Sequence, residues 1–421
     1  MPRLKICLIA PPYSGHVNPL LGIGRELLEL AEVTLVSTPM AMEAAAAAGI
    51  HGHSILKEGE RIVLEIAAPG QAVKGNPLGL FRQLKANVSL QVDVLRELDE
   101  AFDKLKPDLV IADFTLPVAG VAAGRCGARW WTTTPSPCVF ETIDGPPAYF
   151  GGRRPAGSAW SQCVNWLFRK VTRVFKKLMF FLFRDVFEKV GLRSVYRGNG
   201  SERIYSPEAI LACSVAEIEF PRTYPEHFQF IGASLYTPPL VSTVPEFTVG
   251  KKHLLVTLGT HLEHEKDALA DCFIEMAARN PEWVVHFTDG KTGGTKSCRK
   301  GNFHRHDFIS YDDFLFRYDV VVHHGGTGIL LHCLKFGIPA VVIPADFDQF
   351  DNAARLDHAG VGRWATGRGR LESVIREVLA DEPMAQRCQE FRGILARYDS
   401  GEAVRKLVLE AFADCPAGSA S

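Results

Sequence analysis

The residues whose types and spacing could do chemistry fall into two groups, one in each half of the chain. In the second half, His324-Gly325-Gly326-Thr327-Gly328 follows the apolar run Val320 to His323 and leads into a helical pattern. Glycines there let backbone N–H groups approach an anion, and the start of a helix adds the positive end of its dipole. His324 and the Thr327 hydroxyl can donate to the same phosphate. The spacing matches neither the P-loop nor the dinucleotide fingerprint, which argues against those nucleotide-binding classes. Gly259-Thr260 ends another strand-like run and offers N–H and hydroxyl groups to a diphosphate. Asp348-Gln349 follows a third, and a carboxylate beside an amide supplies both the acceptors and the donors that sugar hydroxyls need.

In the first half, Tyr13 to Pro19 joins a strand to a helix, so His16 is expected in a turn at the carboxyl edge of a sheet. Asp113 ends another strand of the same sheet. A histidine held by a carboxylate is the arrangement of a general base, the carboxylate fixing the tautomer and stabilising the imidazolium. Two histidine pairs suggest a metal only superficially. Neither His261-x-x-His264 nor His323-His324 has the i, i+4 spacing and third ligand of a zinc site, so no metal is expected there.

These groups must be positioned by crossover units. The first half reads as a strand at Leu4 to Ala10, a helix from Pro19 to Leu30, a strand at Val33 to Ser37 and a helix at Ala41 to Ala48. A strand at Asp108 to Ala112 and a helix at Pro117 to Arg125 repeat the grammar. The second half restarts it, with strands at Leu254 to Leu258, Trp283 to Phe287, Val320 to His323 and Ala340 to Ile343. Helices at Lys266 to Ala278 and from the glycine turn to Phe336 alternate with them. Alternating strands and helices predict parallel sheets covered on both faces. Between the halves, Gly232 to Gly250 has no period and carries three prolines, which predicts an interdomain linker.

A length of 421 residues exceeds one ordinary core, and 47% hydrophobic with 23% charged residues is normal for a globular protein. A net charge of -1 gives no global attraction to nucleic acid. Ten cysteines without a C-x-x-C pair, several inside apolar runs, read as free thiols of a reducing compartment. The N-terminal apolar stretch is too short for a signal peptide, and Leu178 to Phe183 falls far short of the roughly 20 residues that span a bilayer. The expected location is therefore cytoplasmic.

One segment stands apart. Arg153 to Arg197 carries eleven Arg and Lys against Asp185 and Glu188, interleaved with aromatic residues from Trp160 to Phe187. The expectation is an amphipathic helix pair walling an apolar cleft, with contact to an anionic membrane surface as the alternative.

Taken together, these residues resemble the GT-B glycosyltransferases of the UDP-glycosyltransferase family, of bacterial or fungal natural-product, carotenoid or sterol type. The resemblance covers nearly the whole chain, and its signature runs from Phe308 to Gly362. It implies an α/β GT-B fold of two tandem Rossmann-like, doubly wound domains facing a central cleft. The N-terminal acceptor domain would span 1–235 and the nucleotide-sugar domain 251–398, with a final helix in 399–421 returning to the first domain. It implies direct displacement with inversion, moving a hexose from a UDP-sugar or dTDP-sugar to a hydroxyl of a hydrophobic small molecule, without a metal cofactor. His16 would be the base, oriented by Asp113. Gly259, Thr260, His324, Gly326, Thr327 and Gly328 would hold the diphosphate. Phe308 would stack on the base, the Ile309 backbone would read the pyrimidine, and Asp348 with Gln349 would hold the sugar.

The sequence departs from the family pattern at three positions. Phe308 replaces a tryptophan and Tyr311 a glutamine, and His332 stands where the family has a ribose-binding glutamate, leaving dTDP, which lacks the 2′-hydroxyl, open. Acceptor contacts are expected in Pro69 to Phe81 and Pro135 to Tyr149, with Phe140 and Tyr149 facing a hydrophobic aglycone. The competing readings are a lipid or sterol transferase working at a membrane and a catalytically silent binding or activator protein of the same fold.

Overall fold

The computed structural model describes residues 3–60, 63, 77–240, 242–260, 263–292 and 296–413. The N-terminal lobe contains β1 (Leu4–Ile9), β2 (Ala31–Ser37), β3 (His51–Ser54), β4 (Leu109–Asp113), β5 (Arg129–Thr134), β6 (Ile210–Ala212) and β7 (Phe228–Phe230). They form one sheet in the order β3-β2-β1-β4-β5-β6-β7, every pair parallel. Strands such as Leu109–Asp113, buried along their whole length, need apolar cover on both faces. Two cores supply it, one around Leu8, Leu20 and Leu35 and the other around Ile9, Leu98 and Phe102.

The C-terminal lobe repeats the plan with β8 (Lys252–Thr257), β9 (Trp283–Thr288), β10 (Cys298–Lys300), β11 (Phe303–His306), β12 (Val320–His323), β13 (Ala340–Val342) and β14 (Gly362–Trp364). Its order is β10-β11-β9-β8-β12-β13-β14, with only β10 and β11 antiparallel. In both sheets the winding reverses direction once, between β1 and β4 and between β8 and β12. Loops leaving the carboxyl ends of such a strand pair diverge, and the crevice between them is where open α/β sheets take ligands.

The chain crosses between the lobes twice. Among the described residues of Gly232 to Gly250 there is no helix or strand. Tyr236 is buried in the N-terminal core, whereas Leu235 and Phe247 pack on the C-terminal one. After the helix Glu382–Leu395 the chain returns, and Val404 and Val408 of the helix Ser400–Phe412 enter the N-terminal core against the helix Ser14–Leu27. The two crossings touch. Gly232 has φ +90, and a Cβ on it would lie 2.5 Å from that of Tyr398.

Two local features differ from the sequence expectations. The helix expected from Pro19 begins at Ser14, because the extended Tyr13 caps it and accepts from the His16 and Val17 amides. His16 therefore sits in a helical first turn rather than a free loop. The second difference is larger. The helix Ala159–Leu182 was expected to turn its apolar face inward, but its polar face is the docked one. Lys176 reaches Glu141 and Glu202, Arg173 pairs with Glu141, and Arg169 donates to the Gly145 carbonyl. Trp160, Leu167, Val171, Val174, Leu178 and Phe181 line the opposite face and are all exposed. No described helix is long and apolar enough to cross a membrane.

Candidate active site

The N-terminal half of the site is built at the β1/β4 crevice. Asp113, the last residue of β4, is 1% exposed. Its Oδ1 accepts from the Thr115 amide at 2.9 Å and the Thr115 hydroxyl at 2.6 Å, and its Oδ2 meets His16 Nδ1 at 2.9 Å. A carboxylate in this position can only accept. Nδ1 therefore carries the proton and Nε2 keeps its lone pair. Burial works against the imidazolium of His16, but the Asp113 charge and hydrogen bond outweigh it, with help from Asp348, and raise its pKa above the ordinary value. The imidazole is 27% exposed, so a substrate hydroxyl can approach it.

The C-terminal half is built at the β8/β12 crevice. The helix Thr327–Phe336 starts at Gly326 with no side-chain cap and no acidic residue in its first turn, so its leading amides suit an anion. Behind them His323 is fully buried and accepts from the Gly325 amide at 3.0 Å. Burial first, then the neighbouring His324, push its pKa down to about 3, keeping it neutral. The His324 ring lies between two glycines. A Cβ on Gly326 would come within 2.5 Å of its Nε2, and one on Gly259 within 3.0 Å of its Cε1. Gly259 also has φ +68, so the turn after β8 needs glycine twice over.

Asp348 and Gln349 begin the next helix, Gln349–Ala359. Gln349 is buried, and its Oε1 accepts from the Ala345 and Asp346 amides at 2.8 and 3.1 Å. It therefore offers a ligand N–H donors only, leaving the acceptor role of the pair to the Asp348 carboxylate. Asn352 donates to the Gly325 carbonyl at 2.9 Å, which ties this helix to the glycine turn.

The two halves face one another at hydrogen-bond distance. Ser14 Oγ lies 3.3 Å from Thr260 Oγ1, and Ser136 Oγ lies 2.7 Å from Thr327 Oγ1 and 2.5 Å from Asp348 Oδ2. The structure thus gathers His16, Asp113, Thr260, Thr327 and Asp348 around one cleft. Ser14, Ser136 and Asn352 were not singled out from the sequence. Ser136 was legible in principle, because it lies just past the carboxyl end of β5.

The remaining expected positions are more peripheral. Ile309 packs in the C-terminal core, and the Phe308 carbonyl accepts from the Thr243 amide, so this loop is held by the linker. Gly328 begins the helix beside Thr327, and its carbonyl accepts from His332 Nδ1 at 2.8 Å. His332 is buried beside Tyr311, and Tyr311 bonds Thr257 at 3.0 Å. The His332 ring 3.8 Å away, then Lys335, hold Asp312 well below the usual carboxylate range. Phe140, expected at the acceptor, is 9% exposed in an aromatic cluster with Tyr205 and Phe228. The rings beside His16 are Tyr13 and Phe114, with centroids 6.1 and 6.2 Å away. Tyr149 is half exposed at the lobe boundary with φ +64, its amide donating to Asp351 at 2.8 Å. Pro69 to Asn76 of the first acceptor loop and His261 lie outside the described residues.

Two doubly wound lobes with their crevices face to face define the GT-B glycosyltransferase architecture. Comparison with known proteins agrees. The family described as "Erythromycin biosynthesis protein CIII-like, C-terminal domain" matches residues 271–409. NDP-glycosyltransferase YjiC of Bacillus subtilis (strain 168) is 22% identical, covering 93% of this chain and 93% of its own. The 4'-demethylrebeccamycin synthase of Lentzea aerocolonigenes is 24% identical over 97% of each. Among solved structures, the glycosyltransferase of kitacinnamycin superposes with a TM-score of 0.74 at 21% identity, covering 96% of this chain and 99% of that one. The chain is a GT-B glycosyltransferase related to the bacterial and fungal natural-product transferases that use NDP-sugars.

Proposed function

We propose that the protein transfers a hexose from a UDP- or dTDP-sugar to a hydroxyl of an apolar, natural-product-like small molecule, with inversion at the anomeric carbon. The observation that carries this reading is the His16–Asp113 pair in one crevice facing the uncapped helix start at Thr327 in the other. The acceptor hydroxyl gives its proton to His16 Nε2 as its oxygen bonds to C1 of the sugar. The bond from C1 to the diphosphate oxygen breaks on the opposite side. Charge developing on the leaving diphosphate is met by His324 and the amides at the start of the helix, where preorganised donors act most strongly. The buried His332 offers no carboxylate to a ribose 2′-hydroxyl, which keeps dTDP beside UDP.

The test is a turnover screen of UDP- and dTDP-sugars against hydrophobic acceptor alcohols, with product stereochemistry read by NMR. A β-linked product from an α-linked donor, lost in His16→Ala, is expected. Retention, or a His16→Ala rate equal to wild type, would overturn the reading.

The outward apolar face of the helix Ala159–Leu182 favours a second proposal, docking on an anionic lipid surface. Lys170, Lys177 and Arg184 border the stripe, and the helix contains no acidic residue. That is the charge pattern of an interfacial helix on acidic lipids. Expected is co-sedimentation with phosphatidylglycerol-containing vesicles, weakened by salt and by Lys170→Glu with Lys177→Glu, and none with phosphatidylcholine alone. Absence of binding, or a dimer in light scattering that the same charge changes disrupt, would overturn it.

A further inference from the structure

A second cluster of chemistry-bearing side chains lies in the C-terminal lobe outside the cleft. His304 and His306 alternate on β11, so both project from one face of the sheet. β11 pairs in parallel with β9, and His286 stands directly opposite His304. One ring nitrogen from each of the three imidazoles lies within 4.8 Å of the others. His286 is fully buried and His304 nearly so.

The hydrogen bonding around them is incomplete in a particular way. The Nε2 atoms of His286 and His306 are buried without a hydrogen-bond partner. Buried polar atoms are ordinarily paired, so two orphans in one cluster call for an explanation. His286 Nδ1 does have a partner, the Tyr318 hydroxyl at 2.9 Å. A ligating imidazole is commonly oriented in this way, its other nitrogen bonded to a fixed group while the first faces the ion. Phe247 of the linker covers the cluster, its ring 5.4 Å from His286 and 5.2 Å from Tyr318.

We propose that His286, His304 and His306 form a structural site for one divalent transition-metal ion of the zinc type, seated between strands β9 and β11 and the interdomain linker. Three imidazoles suit zinc, and a tetrahedral ion with Zn–N bonds of about 2.0 Å would draw the nitrogens to about 3.3 Å apart, a rotamer-scale adjustment. His253 is not a ligand, because its Nε2 already accepts from the Thr248 amide at 2.9 Å. The ion takes no part in sugar transfer. It cross-links the neighbouring strands β9 and β11 beneath Phe247 of the linker, two residues before Phe308.

The full chain is stripped with a chelator and dialysed against zinc, and bound metal is measured by mass spectrometry alongside the thermal midpoint. One equivalent per chain and a midpoint raised by several degrees are expected. Cobalt(II) in place of zinc should give the intense visible bands of a tetrahedral ion. His306→Gln, at the partly exposed position, should keep the metal-free midpoint while weakening zinc binding by at least about tenfold. Zinc bound equally by His306→Gln and wild type, or no stoichiometric binding by a folded wild type, would overturn the proposal.

Discussion

The Ser136 hydroxyl of the N-terminal lobe donates to Asp348 Oδ2 of the C-terminal lobe at 2.5 Å. The same hydroxyl lies 2.7 Å from Thr327 Oγ1. It thus occupies, from across the cleft, the groups proposed to hold the sugar and the diphosphate. A donor that settles there must take over those bonds. Asp348→Ala is expected to cost about 1.5–3 kcal/mol of transition-state stabilisation, the usual value for a hydrogen bond to a charged group. Ser136→Ala, which removes only the competing partner, should change donor KM by less than about threefold. Comparable losses in both variants would show that Ser136 binds the donor itself.

His16 and Asp113 make separable predictions. His16→Ala is expected to lower kcat by about 10²–10⁴-fold, the range of a positioned general base. The wild-type base must be neutral, and its pKa is raised, so kcat/KM should fall as pH drops through a value above about 6.5. Asp113→Asn removes the group that raises it. The acid limb should then move to lower pH while the plateau falls, and pH–rate profiles of the two proteins check this.

Gly326 has φ -64, so alanine there meets no backbone strain. Its cost is steric, because the new methyl group would displace the His324 ring. Gly326→Ala is expected to raise donor KM by about tenfold while leaving the thermal midpoint within a few degrees. A variant with normal KM would remove His324 from the diphosphate site.

Asp351 carries a pH signature of stability. Burial first, with Asp348 and Glu219, raises its pKa to about 6 despite the Tyr149 amide and Arg355. The folded state therefore binds this proton more tightly than the unfolded state, whose value is near 4. The contribution is fully present below about pH 4 and is lost as pH rises through about 6. Asp351→Asn keeps an acceptor for Tyr149 and has no such loss. Its thermal midpoint relative to wild type should rise between about pH 5 and about pH 7.5, by an amount worth about 1.4 kcal/mol. A constant difference would show that Asp351 stays ionised.

Much of the frame was legible because parallel strands buried on both faces are written as apolar runs. Val320 to His323 appears in the structure with the boundaries read from the sequence. The glycines at 259 and 326 were legible for the same reason that they are needed, since a side chain at either would press on the His324 ring. The bond between His16 and Asp113 follows from two strand ends of one crevice. Contacts between lobes left no such trace. Ser136, Ser14 and Thr260 are single polar residues whose partners are hundreds of positions away or nearly so, and no period announces them. The helix Ala159–Leu182 shows the complementary limit. Its two faces are plain in the sequence, but which one meets the protein depends on the buried Glu202 and on Glu141, residues outside the helix. The histidine cluster escaped notice because His286 and His304 become neighbours only through strand pairing.

Gly232 and Tyr398, where the two crossings of the chain touch, have a mechanical meaning. Lobes joined by one strand could swing and twist freely, and lobes joined by two distant strands could barely move. Joined at one spot by two adjacent segments of chain, they have a pivot. A few degrees of rotation there is magnified by the length of the lobes into ångströms at Ser136 and Asp348. Entry of the donor and exit of the glycosylated product can then share a single motion, a jaw hinged where a glycine is held against a tyrosine.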